Sequence, residues 1–140
     1  MRYNSEEEII SIVASFEHAT IGRDDWKHAE HLTVALYYLN HYDIAGATEK
    51  MRSGIFKLLT VGFGIDLSTD MPYHETMTVF WMRVIAGFNA ARSMESLLNK
   101  ANEVVEIFDK EYPLRFYSRE LLFSEKARGE FVEADIEAVI

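Results

Sequence analysis

The stretch Pro72-Tyr73-His74-Glu75-Thr76-Met77-Thr78-Val79-Phe80-Trp81-Met82-Arg83-Val84-Ile85-Ala86-Gly87-Phe88-Asn89-Ala90-Ala91 decides the fold. Val79, Trp81, Met82, Val84, Ile85 and Phe88 form an apolar face at helical spacing. Pro72 suits the first turn, where its missing N–H costs no hydrogen bond. The pattern predicts a helix from about Pro72 to Ala91. Upstream, Gly62-Phe63-Gly64-Ile65-Asp66-Leu67-Ser68-Thr69-Asp70 breaks all periodicity. A helix starting at Asp43 precedes that break, with Ala47, Met51, Ile55, Leu58 and Leu59 inward. Before it, Asp24 or Asp25 can cap a helix over Asp25 to His41 that turns Leu32, Ala35, Leu36 and Leu39 to the core. Ser5 and Glu8 read as a capping box ahead of Ile9, Ile10, Ile12, Val13 and Phe16. Downstream, Leu97, Leu98, Ala101, Val104, Val105 and Phe108 mark a helix over Ser93 to Asp109, and Pro113 ends the regular part. Leu114 to Phe131 fits one or two short helices, followed by an extended tail. The expected fold is all-α, an antiparallel bundle of four to five helices with a short-helix C-terminal segment, in a single domain over 1–140.

Composition agrees and narrows the function. Seven Gly and two Pro in 140 residues leave few turns, hence long elements. Asp and Glu number 23 against 14 Lys and Arg, a formal net charge of −9. Such a chain repels nucleic-acid phosphates and anionic membranes, so neither is expected as a partner. There is no cysteine, which removes disulfides, thiolate metal sites and a thiol nucleophile. No apolar run approaches the roughly 20 residues that cross a bilayer. The acidic first residues lack the apolar core of a signal peptide, so a cytoplasmic location is expected. A homodimer would bury any apolar face that so few helices leave open.

Chemistry is concentrated in the histidines, of which there are five. His28 and His31 stand three apart; on a helical wheel His28 lies within roughly 40° of Leu32, Ala35 and Leu39, and His31 similarly close to Ala35 and Tyr38. His74 heads an analogous stripe that continues through Thr78, Trp81, Ile85 and Phe88. Three imidazoles on two inward faces are the parts of a divalent transition-metal site, zinc or iron, and a helix N-terminus keeps His74 neutral and able to ligate. Glu75 can add a ligand or a general base; Glu30 is an alternative carboxylate. Neither the Glu-x-x-His pairs of di-iron bundles nor His-Glu-x-x-His is present. The same histidines also fit a metal-free polar pocket or a structural hydrogen-bond network. His18 and His41 lie at helix ends and read as C-terminal caps.

Tyr73, Thr76 and Thr78 flank His74 and are the better candidates to contact a ligand. Arg115, Arg119 and Arg128 cluster in the C-terminal segment with Tyr117, Ser118 and Ser124. That segment reads either as a lid whose arginine binds an anion or as a piece docked through carboxylate pairs. Arg83, opposite Trp81 on its helix, is expected in an ordinary surface ion pair.

Taken together, Phe16-Glu17-His18, His28-Ala29-Glu30-His31-Leu32, Tyr73-His74-Glu75-Thr76-Met77-Thr78 with Trp81, the run Tyr117 to Arg128, and Phe131-Val132 with Asp135 carry a resemblance. The chain resembles a group of small bacterial all-helical proteins with an H-x-x-H-L segment, a Y-H-E-T segment and a C-terminal Y-S…L-F-S…A-R…F-V…D segment. The match spans about residues 16 to 136. It implies that His28, His31, His74 and Glu75 belong together with Tyr117 and Arg128, and it brings no established activity. Ala134 stands where the group often has Pro, and Thr33 where it tends to have a basic residue.

Three functional readings follow. In the first, His28, His31 and His74 hold a metal, with Glu75 as ligand or base, and water activation becomes available. In the second, the histidines hydrogen-bond a small polar or anionic molecule without metal, under a C-terminal lid containing Arg119 or Arg128, with Tyr73, Thr78 and Tyr117 as further ligand contacts. In the third, the protein is a structural or interaction module.

Overall fold

A computed structural model describes residues 1–139. Seven α-helices pack together, and there is no strand among the described residues. They are α1 (Glu6–Glu17), α2 (His28–His41), α3 (Ile44–Lys57), α4 (Glu75–Ala91), α5 (Leu97–Ile107), α6 (Arg119–Leu122) and α7 (Glu125–Gly129). A π-helical turn, Leu58–Gly62, extends α3, and a 3-10 turn, Tyr112–Arg115, follows α5. The all-α expectation holds, with the C-terminal segment in short helices.

The centre of the bundle is α2, which packs against α1, α3, α4 and α5. Its middle is buried on every side, from Leu32 through Thr33, Val34, Ala35 and Leu36. The one polar group in that run is satisfied: the Thr33 hydroxyl donates to the Ala29 carbonyl at 2.8 Å and accepts from the Tyr3 hydroxyl at 2.7 Å. A one-faced helix was expected here, and the correction follows from the helices that surround it. Gly54 lets α3 approach α1, because a Cβ there would run into the Phe16 ring. Gly64, at φ +68, makes the turn that leaves the π-helical extension.

Helix starts differ from the sequence reading in ways that matter for the site. Ser5 caps α1 as expected. The second helix begins at His28 rather than Asp25, with the Lys27 N–H donating to the Glu30 carboxylate at 3.0 Å. The fourth begins at Glu75 rather than Pro72, and His74 is its N-cap. The fifth is capped by Ser96, three residues beyond Ser93. No described helix is long and apolar enough to cross a membrane.

Candidate functional site

The first turn of α4 fastens the C-terminal segment to the bundle. His74 Nδ1 accepts the Met77 N–H at 3.1 Å, as an N-cap side chain does, and its Nε2–H donates to the Leu122 carbonyl at 2.6 Å. Two turns of the segment are thereby set. Thr76 donates to the Glu130 carbonyl at 3.0 Å and accepts the Val132 N–H at 3.2 Å. The Tyr117 hydroxyl donates to the Val132 carbonyl at 2.6 Å. Ser118 holds Asp135 through its N–H and its hydroxyl, both at 2.7 Å. Phe131 sits between the two bonds made by Thr76, so its position is fixed by one side-chain hydroxyl gripping the backbone on either side.

These bonds shape a cleft of about 450 Å³ between α3, the approach to α4 and the Arg128–Phe131 strap. Phe56, Met71, Tyr73 and Phe131 form its apolar walls, and Arg52, Glu75, Arg128 and Glu130 its polar ones. The Phe56 and Tyr73 rings pack 4.6 Å apart. Arg52 reaches Glu75 through two parallel bonds, Nε to Oε1 at 2.9 Å and Nη2 to Oε2 at 2.7 Å. Its Nη1 donates to Glu49 at 2.6 Å. The Tyr73 hydroxyl donates to Glu75 Oε1 at 2.6 Å. Burial pushes the Glu75 carboxyl up, but the bonds from Arg52 and Tyr73 outweigh it and hold the group below the usual carboxylate range. Burial, reinforced by that same bond, pushes the Tyr73 phenol up to about 12. At neutral pH the trio is therefore guanidinium, carboxylate and phenol, each satisfied by the others. Glu75, expected as general base, is in this arrangement the residue that orients Arg52 and Tyr73.

Arg128 is the exception. It borders the cleft, and among the described residues it has neither a carboxylate partner nor a hydrogen-bond acceptor. Its charge is felt nearby. Burial lowers His74, the bond to Leu122 works against that, and Arg128 adds to the lowering.

The expected three-histidine ligand set does not assemble. Among the described residues, no group of three or more His, Asp or Glu side chains is placed to hold a metal ion. Each imidazole has a different task. His28 Nε2 donates to the Phe108 carbonyl at 2.9 Å, with its ring 5.1 Å from Trp81. His31 stacks on Trp26 at 5.5 Å, and burial, with His28 adding, pushes it down to about 4. His74 has both nitrogens committed.

Other expectations are corrected in the same way. The Thr78 hydroxyl donates back to the His74 carbonyl at 3.2 Å and does not face the cleft. Tyr117 is a core residue, 1% exposed. Arg119 points to solvent with its side chain 73% exposed, 3.7 Å from Glu111 and away from the cleft. Arg83 has no ion pair among the described residues; its guanidinium lies 4.3 Å over the Phe131 ring. Of the expected site, Tyr73, Glu75 and Arg128 come together.

One cleft residue, Arg52, and one buried cation away from the cleft, Lys100, escaped the sequence reading. Arg52 lies one residue past Met51, on the polar side of α3, and nothing in its spacing marks it. Lys100 is 4% exposed and donates from Nζ to the Asn40 and Asn89 side-chain carbonyls, both at 2.7 Å. Its place between Leu97 and Val104, at three- and four-residue steps, was the available signal. No protein-family model, curated protein or solved structure matches the chain.

Proposed function

We propose that this protein binds a small anionic molecule with an apolar body in the cleft between Arg52 and the Arg128–Phe131 strap. The observation that carries this reading is Arg128, a guanidinium at the rim of an apolar-walled cleft with no anion to pair with among the described residues. In a chain whose carboxylates outnumber its cations, such an arginine is the group best suited to take a carboxylate or phosphate from outside. Phe56, Tyr73 and Phe131 supply flat apolar area for the rest of the ligand. The Glu75 clamp keeps Arg52 and Tyr73 in place, so little ordering would be needed on binding.

The test is calorimetric titration with benzoate, octanoate and phenyl phosphate, and with benzamide as the uncharged control. The charged compounds bind the native protein, and Arg128→Ala weakens them by about 10- to 100-fold, the worth of a charged hydrogen bond. Equal binding of benzoate and benzamide, or an unchanged affinity in Arg128→Ala, would overturn the reading.

A further inference from the structure

A second hollow adjoins the cleft. It measures about 310 Å³ and is lined by Ile44, Ala45, Thr48, Val79, Arg52 and Arg83. Arg52 borders both hollows. Phe131 links them too, since its ring lines the first and carries the Arg83 guanidinium, which belongs to the second. Arg83 thus lies over Phe131, and Arg128 lines the same cleft as that ring. Arg52, which borders both hollows, is saturated by Glu75 and Glu49, whereas neither Arg83 nor Arg128 has a carboxylate among the described residues. Arg23 and Arg115 are also without carboxylates, but each packs on a ring elsewhere and neither borders these hollows.

The contact with Phe131 holds the Arg83 guanidinium through the ring face and uses none of its N–H donors, which have no acceptor among the described residues. Each hollow has apolar lining: Phe56, Met71 and Phe131 in one, Ile44, Ala45 and Val79 in the other. Among the described residues no carboxylate forms an ion pair with either Arg83 or Arg128, although the charges of Glu133 and Asp135 reach Tyr117 as that of Arg83 does. Glu75 and Glu49 are taken by Arg52, and Glu130 lies 3.9 Å from Lys126.

We infer that the two hollows form one site with two anion positions, so that its ligands are elongated dianions whose charges are separated by an apolar spacer, such as α,ω-dicarboxylates. This rests on the anion-binding reading above and sharpens it to a ligand class. Arg128 takes one anionic end, Arg83 the other, and Phe131 packs against the spacer.

The experiment titrates a dicarboxylate series from succinate to sebacate, with octanoate as the single-charge comparison, into the native protein, Arg83→Ala and Arg128→Ala. One spacer length binds at least about 10-fold tighter than octanoate, the worth of one added charged contact. Arg83→Ala brings that dicarboxylate to the octanoate level and leaves octanoate unchanged, while Arg128→Ala weakens both. If octanoate binds and depends on Arg128 but no dicarboxylate exceeds it, the two-anion site is refuted and the single-anion reading stands. An equal loss of both ligands in Arg83→Ala also refutes it. If neither class binds the native protein, both readings fall.

Discussion

The starts of α2 and α4 carry the same kind of sequence, a histidine at the head of an apolar stripe, yet the fold uses them in opposite ways. At α2, His28 and His31 are enclosed by aromatic rings: Trp81 beside His28, and Trp26 stacked between His31 and Phe16. At α4, His74 spends both nitrogens on holding backbone, and its neighbours Tyr73 and Glu75 open onto a cleft. The cause is what lies alongside. Four helices pack on α2, and the end of α5 brings the Phe108 carbonyl over its first turn. The first turn of α4 is covered by the short C-terminal helices and strap, which leave a gap beside it. A histidine's place on a helix thus says little about its task until the element facing it is known.

The sharpest way to break this contrast is to open the closed end. Trp81→Ala removes a ring that packs on His28, Phe80, Phe108 and Tyr112. It should cost about 3–5 kcal/mol in urea unfolding. A loss below 1 kcal/mol would mean that this end is not sealed.

Acid tests the same end. Because burial pushes His31 down to about 4, below its ordinary value near 6.5, the unfolded chain takes up the proton first as pH falls. The stability due to the neutral ring is complete above about pH 6.5 and is lost on descending toward pH 4, by about 2–3 kcal/mol. His74 is shifted in the same direction and adds to the slope. His31→Phe should flatten the curve over that window; an unaltered slope would show that His31 does not titrate as its burial requires.

Next comes the clasp. His74→Ala loses both a helix cap and the bond to Leu122, and should destabilise by about 1–3 kcal/mol. His74→Asn restores only the cap. Hydrogen exchange distinguishes the two functions: the α4 first-turn amides recover protection in His74→Asn, while those of 119–132 stay fast. Uniform recovery would argue against the clasp.

The smallest stability effect is expected at the open end. Arg128→Ala breaks no ion pair among the described residues and should shift unfolding by less than about 0.5 kcal/mol. A larger change would mean that Arg128 serves the fold rather than a ligand.

Much of the fold was legible because helices are written locally. Apolar steps of three and four residues identified all five long helices, and Ser5 with Glu8 marked the first start. Boundaries were less legible where an unexpected residue does the capping, as His74 does in place of a turn entered through Pro72. In the candidate site, Tyr73 and Glu75 were found because they flank a histidine, and Arg128 because cations are scarce. Arg52 was invisible, since its partner Glu75 lies 23 residues away and any surface carboxylate is an equal candidate from sequence. The three histidines were grouped on faces alone, and the faces point to different neighbours.

The chain by itself determined that it would be helical, where its apolar stripes run and that its surface is acidic, because these depend on residue type and on neighbours within a turn or two. Tertiary structure decided which polar groups consume one another. His74 meets the Leu122 carbonyl across 48 residues and Thr76 meets Glu130 across 54. Such pairings follow from which helices pack side by side, and packing is set by the shape and volume of the whole core rather than by local spacing. That Arg128 and Arg83, each bordering a hollow, are without carboxylates among the described residues could be seen only after the other partners had been assigned.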